Sequence, residues 1–125
     1  MKKILSGLFV ACMLFSFTSV TGISEIISAI KAGNATTVAK YFDNTVEISL
    51  SGKSNNYSKV QGEAVLRDFF QLHPVKSFSV IHQGESGGSQ FVIGTLVTSS
   101  GSYRTTVNLK QKGDKQILQE IKFEN

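Results

Sequence analysis

The sequence contains little cysteine and little histidine, and this limits the chemistry that it can support. Its 125 residues include one cysteine and two histidines. Cys12 lies within an apolar run near the N-terminus, so the rest of the chain can form neither an internal disulfide nor a thiolate metal site. His73 and His82 have no carboxylates near them at the spacings of known metal sites. We therefore expect no bound metal and no cofactor.

A concentrated positive charge is also missing. The formal net charge is +4, and Lys2 and Lys3 account for half of it. The densest remaining group is Lys110, Lys112 and Lys115, which surround a predicted hairpin turn. Nucleic-acid binding depends on several clustered contacts between basic side chains and phosphates. The sequence therefore excludes nucleic acid as a partner.

The long apolar run is too short to span a membrane. It extends from Ile4 to Phe17, after two lysines and before a segment of small and polar residues that ends at Gly22. A transmembrane helix needs ~20 apolar residues. A basic start, a short apolar middle and a small-residue exit are typical of a secretory signal peptide. We predict a signal peptide over residues 1–22 and one exported domain, periplasmic or extracellular, over residues 23–125, without a membrane span in the mature chain.

Cys12 offers an alternative localisation, because a lipidated cysteine would tether the protein to a membrane. The preceding Phe9-Val10-Ala11 matches such a signal poorly. The residues that follow Cys12 stay apolar, whereas a lipidated protein normally becomes polar there. Cleavage after Gly22 is the favoured interpretation.

Apolar residues at helical spacing predict three helices in the first half of the chain. The first is predicted over 23–33, the second, capped by Asn34, over 34–42, and the third over 58–72. The third begins with a serine and a glutamine at capping-box spacing, and the single proline of the chain follows its end.

Strand patterns fill the remaining sequence. Apolar and polar side chains alternate over 45–50, a short return strand follows, and four more strands are predicted at 76–83, 90–99, 102–110 and 116–123. The turns between the last four are short and contain glycine, so these strands run antiparallel. The order of elements predicts an α+β domain with helices packed on one face of a curved sheet.

This order, with the stretches at 29–43, 57–70 and 101–104, resembles the nuclear transport factor 2-like (cystatin-like) superfamily. It is most similar to a small secreted bacterial branch with no assigned function. The resemblance covers residues 23–125 and implies a cone in which three helices of the N-terminal half pack on a curved, mainly antiparallel sheet. The superfamily includes isomerases, dehydratases, ligand binders and dimerisation modules, so the fold alone does not select a function.

Three residues are candidates for lining a pocket in such a cone. On the strand at 76–83, His82 shares a face with apolar residues, so its imidazole is expected to point inward. Tyr103 is its best partner inside the cone, and Tyr41 can line a pocket mouth with its polar tip. We predict Tyr41, His82 and Tyr103 as ligand-binding residues. The alternatives are an inert histidine at the edge of the core and tyrosines that pack at element ends; His73 is expected on the surface.

No acid–base pair is recognisable in the sequence. Proton-transfer enzymes of this fold place an aspartate or glutamate opposite a tyrosine or histidine in an apolar pocket. The aspartates are predicted at a helix end, on a helix and in a turn, and Glu47 and Glu120 should face outward from their strands. No serine lies in a nucleophile motif such as G-x-S-x-G. We therefore name no catalytic residue and expect that the domain is not an enzyme.

The predicted strand around 91–97 is apolar on both faces. Phe91, Ile93 and Val97 lie on one face, and Val92 and Leu96 lie on the other. Because the outer side of a half-exposed sheet is normally polar, we interpret Val92 and Leu96 as an outer patch that pairs with a second copy. The alternative is that isolated exposed apolar residues are ordinary. The homodimer hypothesis predicts that a charged replacement of Leu96 gives a folded monomer.

The sequence thus favours a non-enzymatic module of the cell envelope that binds a small ligand or a partner protein as a homodimer. The alternative is a small-molecule isomerase or lyase that uses His82 as a lone general base with Tyr103 as electrophilic partner. A third hypothesis is a structural domain whose cone is packed solid. An open cavity and a contact between His82 and Tyr103 are the features that separate these hypotheses.

Overall fold

The computed structural model describes residues 21–125. The predicted signal peptide, with Cys12, lies outside these residues except for its last two positions. Within the described part of the chain, each helix is too short or too polar to cross a membrane.

The described residues form three helices and a six-stranded sheet. In chain order these are α1 (Thr21–Ala32), α2 (Ala35–Ala39), β1 (Phe42–Leu50), β2 (Lys53–Ser58), α3 (Lys59–Leu72), β3 (Val75–Ser86), β4 (Ser89–Thr98), β5 (Gly101–Lys112) and β6 (Lys115–Glu124). The strand order across the sheet is β2-β1-β6-β5-β4-β3. Neighbouring strands are antiparallel except for β1 and β6, which are parallel. The predicted α+β cone is confirmed.

Local signals set the helix boundaries as predicted. Gly33 ends α1 with a φ of +66°, a conformation that glycine adopts without a steric penalty. The side chain of Asn34 then accepts a hydrogen bond of 3.1 Å from the backbone N–H of Thr37. The capping box of α3 is formed, since the Ser58 hydroxyl accepts from the Gln61 backbone N–H at 3.2 Å.

The second helix is shorter than predicted. It ends at Ala39, and Phe42 instead begins β1, where it pairs with Leu118 of β6. The Phe42 side chain is buried in the core, so the same residue satisfies the helical spacing in the sequence and the strand pattern in the fold. An apolar residue at the end of a periodic run cannot distinguish these two outcomes.

The side chains between helices and sheet form one apolar core. We call the side of the sheet that faces the helices the inner face, and the opposite side the outer face. The strands contribute Phe42, Val46, Ile48, Phe78, Val92, Leu96, Tyr103, Val107, Leu109, Leu118, Ile121 and Phe123. Phe123 is fully buried, and its ring stacks on Phe69 of α3 with ring centroids 4.3 Å apart. Phe70 of α3 meets the same ring edge-on at 6.1 Å. Aromatic rings therefore occupy the space between α3 and the centre of the inner face.

Gly62 allows α3 to lie close to β1. A Cβ atom at this position would lie 2.6 Å from Cγ1 of Val46 and 3.2 Å from the ring of Phe42. Both distances are shorter than ordinary contacts between carbon atoms. The glycine thus fixes the distance between the helix and the inner face.

Candidate functional site

Tyr41 lies between α2 and β1 and forms a pair with a carboxylate on α1. Its hydroxyl donates a hydrogen bond of 2.6 Å to Oε1 of Glu25. Its carbonyl accepts a 2.6 Å bond from the backbone N–H of Leu118, at the start of β6. Burial, followed by the hydrogen bond and the charge of Glu25, raises the pKa of Tyr41 to about 12. The phenol is therefore held in its neutral form as a hydrogen-bond donor.

The Tyr41–Glu25 pair predicts a loss of stability at alkaline pH. The pKa of Tyr41 rises from 10.0 to about 12 in the fold, so the stability that the neutral phenol provides is complete below pH ~10 and is lost as the pH approaches ~12. Denaturant unfolding at pH ~9 and pH ~11 should show a larger decrease for the natural protein than for Tyr41→Phe. An equal decrease in both proteins would contradict the pairing.

His82 lies on the outer face, and the expectation that it points inward is wrong. The register of β3 against β4 shifts between Val80 and His82, so that Ile81 is an extra residue in β3. Such a β-bulge exchanges the faces of the side chains that follow it. His82 consequently pairs with Ile93, is exposed, and lies against Phe91 with ring centroids 5.2 Å apart.

Tyr103 lies on the inner face as predicted, but the histidine beside it is His73. The Tyr103 side chain is buried and meets the ring of Phe69 edge-on at 5.2 Å. Its hydroxyl lies 3.3 Å from Nδ1 of His73, and the same nitrogen contacts the hydroxyl of Ser100. His73 packs on Phe69 at 4.8 Å and is half-buried, so it lies at the edge of the core. The contact on which the His82–Tyr103 enzyme hypothesis depends is not formed.

The fold does not bring the three predicted residues together. Tyr41 lies beside Leu118, near the start of β6, and Tyr103 lies on β5 near the end of β6. His82 lies on the opposite face of the sheet from Tyr103. A shared pocket of these residues is therefore ruled out by the geometry, and a ligand-binding role for each residue separately stays a prediction.

Two open grooves lie on the helical side of the described residues. The α2 groove has a volume of about 430 Å³ and lies between the α1–α2 turn and the end of α3, lined by Ala32, Gly33, Asn34, Ala35, Thr36, Arg67, Phe70 and Gln71. The β2 groove has a volume of about 500 Å³ and lies between β2 and α3, lined by Asn55, Asn56, Tyr57, Gln61, Ala64 and Val65. Neither groove includes a predicted site residue.

The Arg67 guanidinium in the α2 groove is already paired. It forms a salt bridge with Glu63 one turn earlier on α3, and the hydroxyl of Thr36 lies 3.4 Å from the same carboxylate oxygen. The pair makes this part of the groove close to neutral. The groove therefore has no free charge with which to select an ionic ligand.

The outer face carries an apolar row on β4. Phe91, Ile93 and Val97 are half-buried there, whereas Val92 and Leu96 are 1% and 0% exposed in the core. The expectation that Val92 and Leu96 form the outer patch is wrong. Both faces of the strand are apolar, and the larger set is the one that faces outward.

A polar network borders this apolar row. Glu47 and Glu120 are register partners on β1 and β6. Asn108 donates a hydrogen bond of 2.6 Å to Glu120, and the Lys122 ammonium lies 3.8 Å from the same carboxylate. The hydrogen bond from the Ser54 hydroxyl, followed by a hydrogen bond with Glu120, holds the pKa of Glu47 below its usual range. Both glutamates face outward, as their strand positions predict.

Two contacts at the candidate sites are not predicted by the sequence. His73 directly follows the last residue of α3 and lies four residues after Phe69, and its backbone N–H still bonds to the Phe69 carbonyl, so the two side chains lie on the same side of the helix end. This spacing could have indicated that His73 packs inward. Glu25 and Tyr41 are joined only through the packing of α1 on the start of β1, and no local signal links them.

Among residues 21–125, no group of three or more His, Cys, Asp or Glu side chains is placed to hold a metal ion. The described carboxylates at the sites above are bound by hydroxyl, amide or ammonium groups of the chain itself. Their contacts are those of surface networks that connect neighbouring elements.

Known structures and sequences place this geometry in a family. A DUF4783 family protein from Bacteroides ovatus has 33% sequence identity and a TM-score of 0.79, over 81% of this chain and 92% of that one. One from Bacteroides uniformis has 32% identity and a TM-score of 0.79, over 82% and 94%. An NTF2-like protein of unknown function from Shewanella baltica shares the fold at 14% identity, with a TM-score of 0.63 over 89% and 94%.

No curated protein matches the sequence at a significant level. The family profile described as a domain of unknown function, DUF4783, matches residues 23–124. That range includes all six strands and nearly all of the three helices. The chain belongs to the DUF4783 family and has the nuclear transport factor 2-like fold.

Proposed function

We propose that the chain is an exported, non-enzymatic protein-binding module of the cell envelope that self-associates through the outer face of its sheet. The observation that carries this proposal is the apolar row of Phe91, Ile93 and Val97 on that face. Fully burying a side chain of this size stabilises a protein by ~1.5–3 kcal/mol relative to leaving it exposed. A second copy that covers the row would recover the part of this free energy that the monomer leaves unused.

The size of the outer face suits a dimer. Six strands spaced ~4.8 Å apart, six to twelve residues long at ~3.3 Å per residue, present a projected area of roughly 900 Å². A stable interface buries about the same area on each partner. The sheet is therefore large enough to form an interface by itself.

The charges of the outer face allow it to meet a copy of itself. Its flanking side chains include the carboxylates Glu47 and Glu120 and the cations Arg104 and Lys122. A face that carries both signs is not repelled by an identical face, and two-fold symmetry brings each patch against the other copy. This favours a second copy over a partner of strongly one-signed charge.

Export rests on the predicted signal peptide. We expect N-terminal sequencing of the protein isolated from the envelope fraction to begin at Ile23. A mature protein that begins at Cys12 would instead support lipidation, and retention of Met1 would contradict export by cleavage.

Self-association is tested by native mass spectrometry of the mature protein and two variants. We expect a dimer for the natural protein, a folded monomer for Ile93→Asp and a dimer for the control Val60→Asp. Val60 is 79% exposed on α3, so it tests an exposed apolar residue away from the outer face. Two carboxylates buried against each other should weaken the dimer by at least ~100-fold. A monomeric natural protein overturns self-association, and a bound mass that is lost on denaturation would favour the small-ligand alternative.

A further inference from the structure

We propose that the open edge of β2, together with the β2 groove, binds an extended peptide segment of a partner protein. The segment would carry apolar side chains at alternate positions and acidic residues at its ends. This site is on the helical side of the sheet edge, so it is separate from the outer face and does not depend on self-association.

The hairpin geometry identifies which backbone groups of β2 are free. β2 is the terminal strand of the sheet, and within residues 21–125 it pairs with β1 only. Ser51 and Gly52 connect the two strands with φ values of 50° and 87°, which is typical of a two-residue type I′ turn. In such a turn the two closing residues, Leu50 and Lys53, form both of their backbone hydrogen bonds with each other. Because hydrogen-bonded and non-hydrogen-bonded pairs alternate, the backbone groups of residues 54, 56 and 58 point away from β1.

The capping box confirms this register at one end of the strand. The backbone N–H of Ser58 bonds to Oε1 of Gln61 at 3.5 Å, so it is directed away from β1. The N–H and C=O groups of Ser54 and Asn56 are left facing the open edge. An added strand can therefore form up to about four backbone hydrogen bonds there.

The β2 groove lies where the side chains of an added strand would go. Asn55 and Tyr57 are register partners of the buried Ile48 and Val46, so they lie on the helical side of β2. With Ala64 and other residues of α3 they line about 500 Å³ of open space. Since successive side chains of a strand alternate between faces, every second residue of a bound peptide would enter this groove.

The groove and its surroundings select the kind of side chain. Val65 is half-buried in the lining of the groove. An apolar residue of the peptide would cover it. Lys53 and Lys59 lie at the two ends of the edge, are exposed, and form no salt bridge with another described residue. They complement acidic residues that flank the apolar one.

A peptide fits this edge better than a second copy of the domain. A two-fold pairing of two β2 edges would keep both helical sides on the same face and bring a second α3 toward the same groove. Packed helices need 8–10 Å between their axes, whereas the groove holds side chains of a single strand. The test below distinguishes peptide binding from the alternative, in which two domains pair through their β2 edges.

The test uses a synthetic probe with alternating threonine and valine residues and an aspartate at each end. Backbone amide NMR of the full mature domain should show slower hydrogen exchange at Ser54 and Asn56 when the probe is added. We expect a Kd on the order of 0.1–1 mM, because the edge offers few backbone bonds. A probe with lysine at both ends should bind at least ~10-fold more weakly. Equal binding of the two probes, or unchanged exchange at Ser54 and Asn56, would overturn the proposal.

Two variants of Asn56 distinguish the contribution of its backbone N–H to probe binding from that of its side chain. Asn56→Pro removes the edge-facing N–H and should weaken binding of the probe at least ~10-fold more than Asn56→Ala, which keeps the N–H and removes only the side chain. Equal binding of both variants contradicts strand addition. Ile93→Asp should leave probe binding unchanged, so failure of the outer-face dimer and failure of this site give different results. A dimer that Asn56→Pro abolishes would assign the edge to a second copy instead.

Discussion

Replacing Leu96 with aspartate is expected to unfold the domain. Leu96 is 0% exposed, and its register partners are Phe78 on β3 and Tyr103 on β5, both in the core. Truncating a buried leucine costs ~2–5 kcal/mol, and burying an unpaired carboxylate adds several kcal/mol. The sum is comparable with the whole stability of a small domain, ~5–15 kcal/mol. Far-UV circular dichroism and denaturant unfolding should therefore show little or no native population.

The outcome separates two placements of the same strand. If Leu96 faced outward, as its sequence context predicts, Leu96→Asp would give a folded monomer with native circular dichroism. The control Ile93→Asp places the same charge three residues earlier on the outer face and should keep its native circular dichroism. Leu96→Ala provides a measurable variant if the aspartate protein cannot be isolated, and we expect it to lose ~2–5 kcal/mol. A loss below ~1 kcal/mol would contradict burial of this side chain.

Burial in β4 could not be derived from periodicity, because both faces of the strand are apolar. The residue that distinguishes the faces is Gly94, which lies between Val92 and Leu96 on the inner face. A Cβ atom there would lie 2.7 Å from the ring of Phe78, so the absence of a side chain makes room for this ring. A glycine in a strand interior is a signal of close approach, and in the structure Gly94 marks the face of β4 on which Phe78 packs.

The elements themselves could be predicted because their signals are local. The serine–glutamine pair at the start of α3, the glycine at the end of α1 and the proline after α3 each act within a few residues. These signals give the helix boundaries and, with the alternating strands, the fold class. The predicted α2 is too long because Phe42 fits both the helical spacing of α2 and the strand pattern of β1.

The candidate site was harder to predict because it depends on contacts between distant elements. The bulge at Ile81 turns His82 to the outer face, and nothing in the apolar pattern of β3 marks an extra residue there. The contact of His73 with Tyr103 joins the end of α3 to the start of β5. Such contacts depend on how the helices pack on the sheet. The periodicity of one strand carries no information about that packing.

Replacing Phe123 with alanine is expected to remove ~3–5 kcal/mol from the free energy of unfolding. Phe123 is 0% exposed, stacks on Phe69 at 4.3 Å and meets Phe70 edge-on at 6.1 Å. Aromatic contacts of this kind add ~0.5–1.5 kcal/mol to the effect of buried area. Denaturant unfolding measures the loss. The matched control is Phe91→Ala on the outer face, where the ring is half-buried and the expected loss is ~1 kcal/mol.

The same variant tests whether the cone is filled. Removing the Phe123 ring should leave an apolar cavity, and such cavities stay dry and bind benzene. Benzene should therefore raise the Tm of Phe123→Ala by linkage, while the natural protein, whose aromatic rings occupy that space, should show no increase. A natural protein that benzene stabilises as strongly as the variant would have an open inner pocket, and the small-ligand hypothesis would then replace protein binding as the function of the cone. If only the variant responds, the inner face acts as a packed core and binding is left to the outer face and the edge of β2.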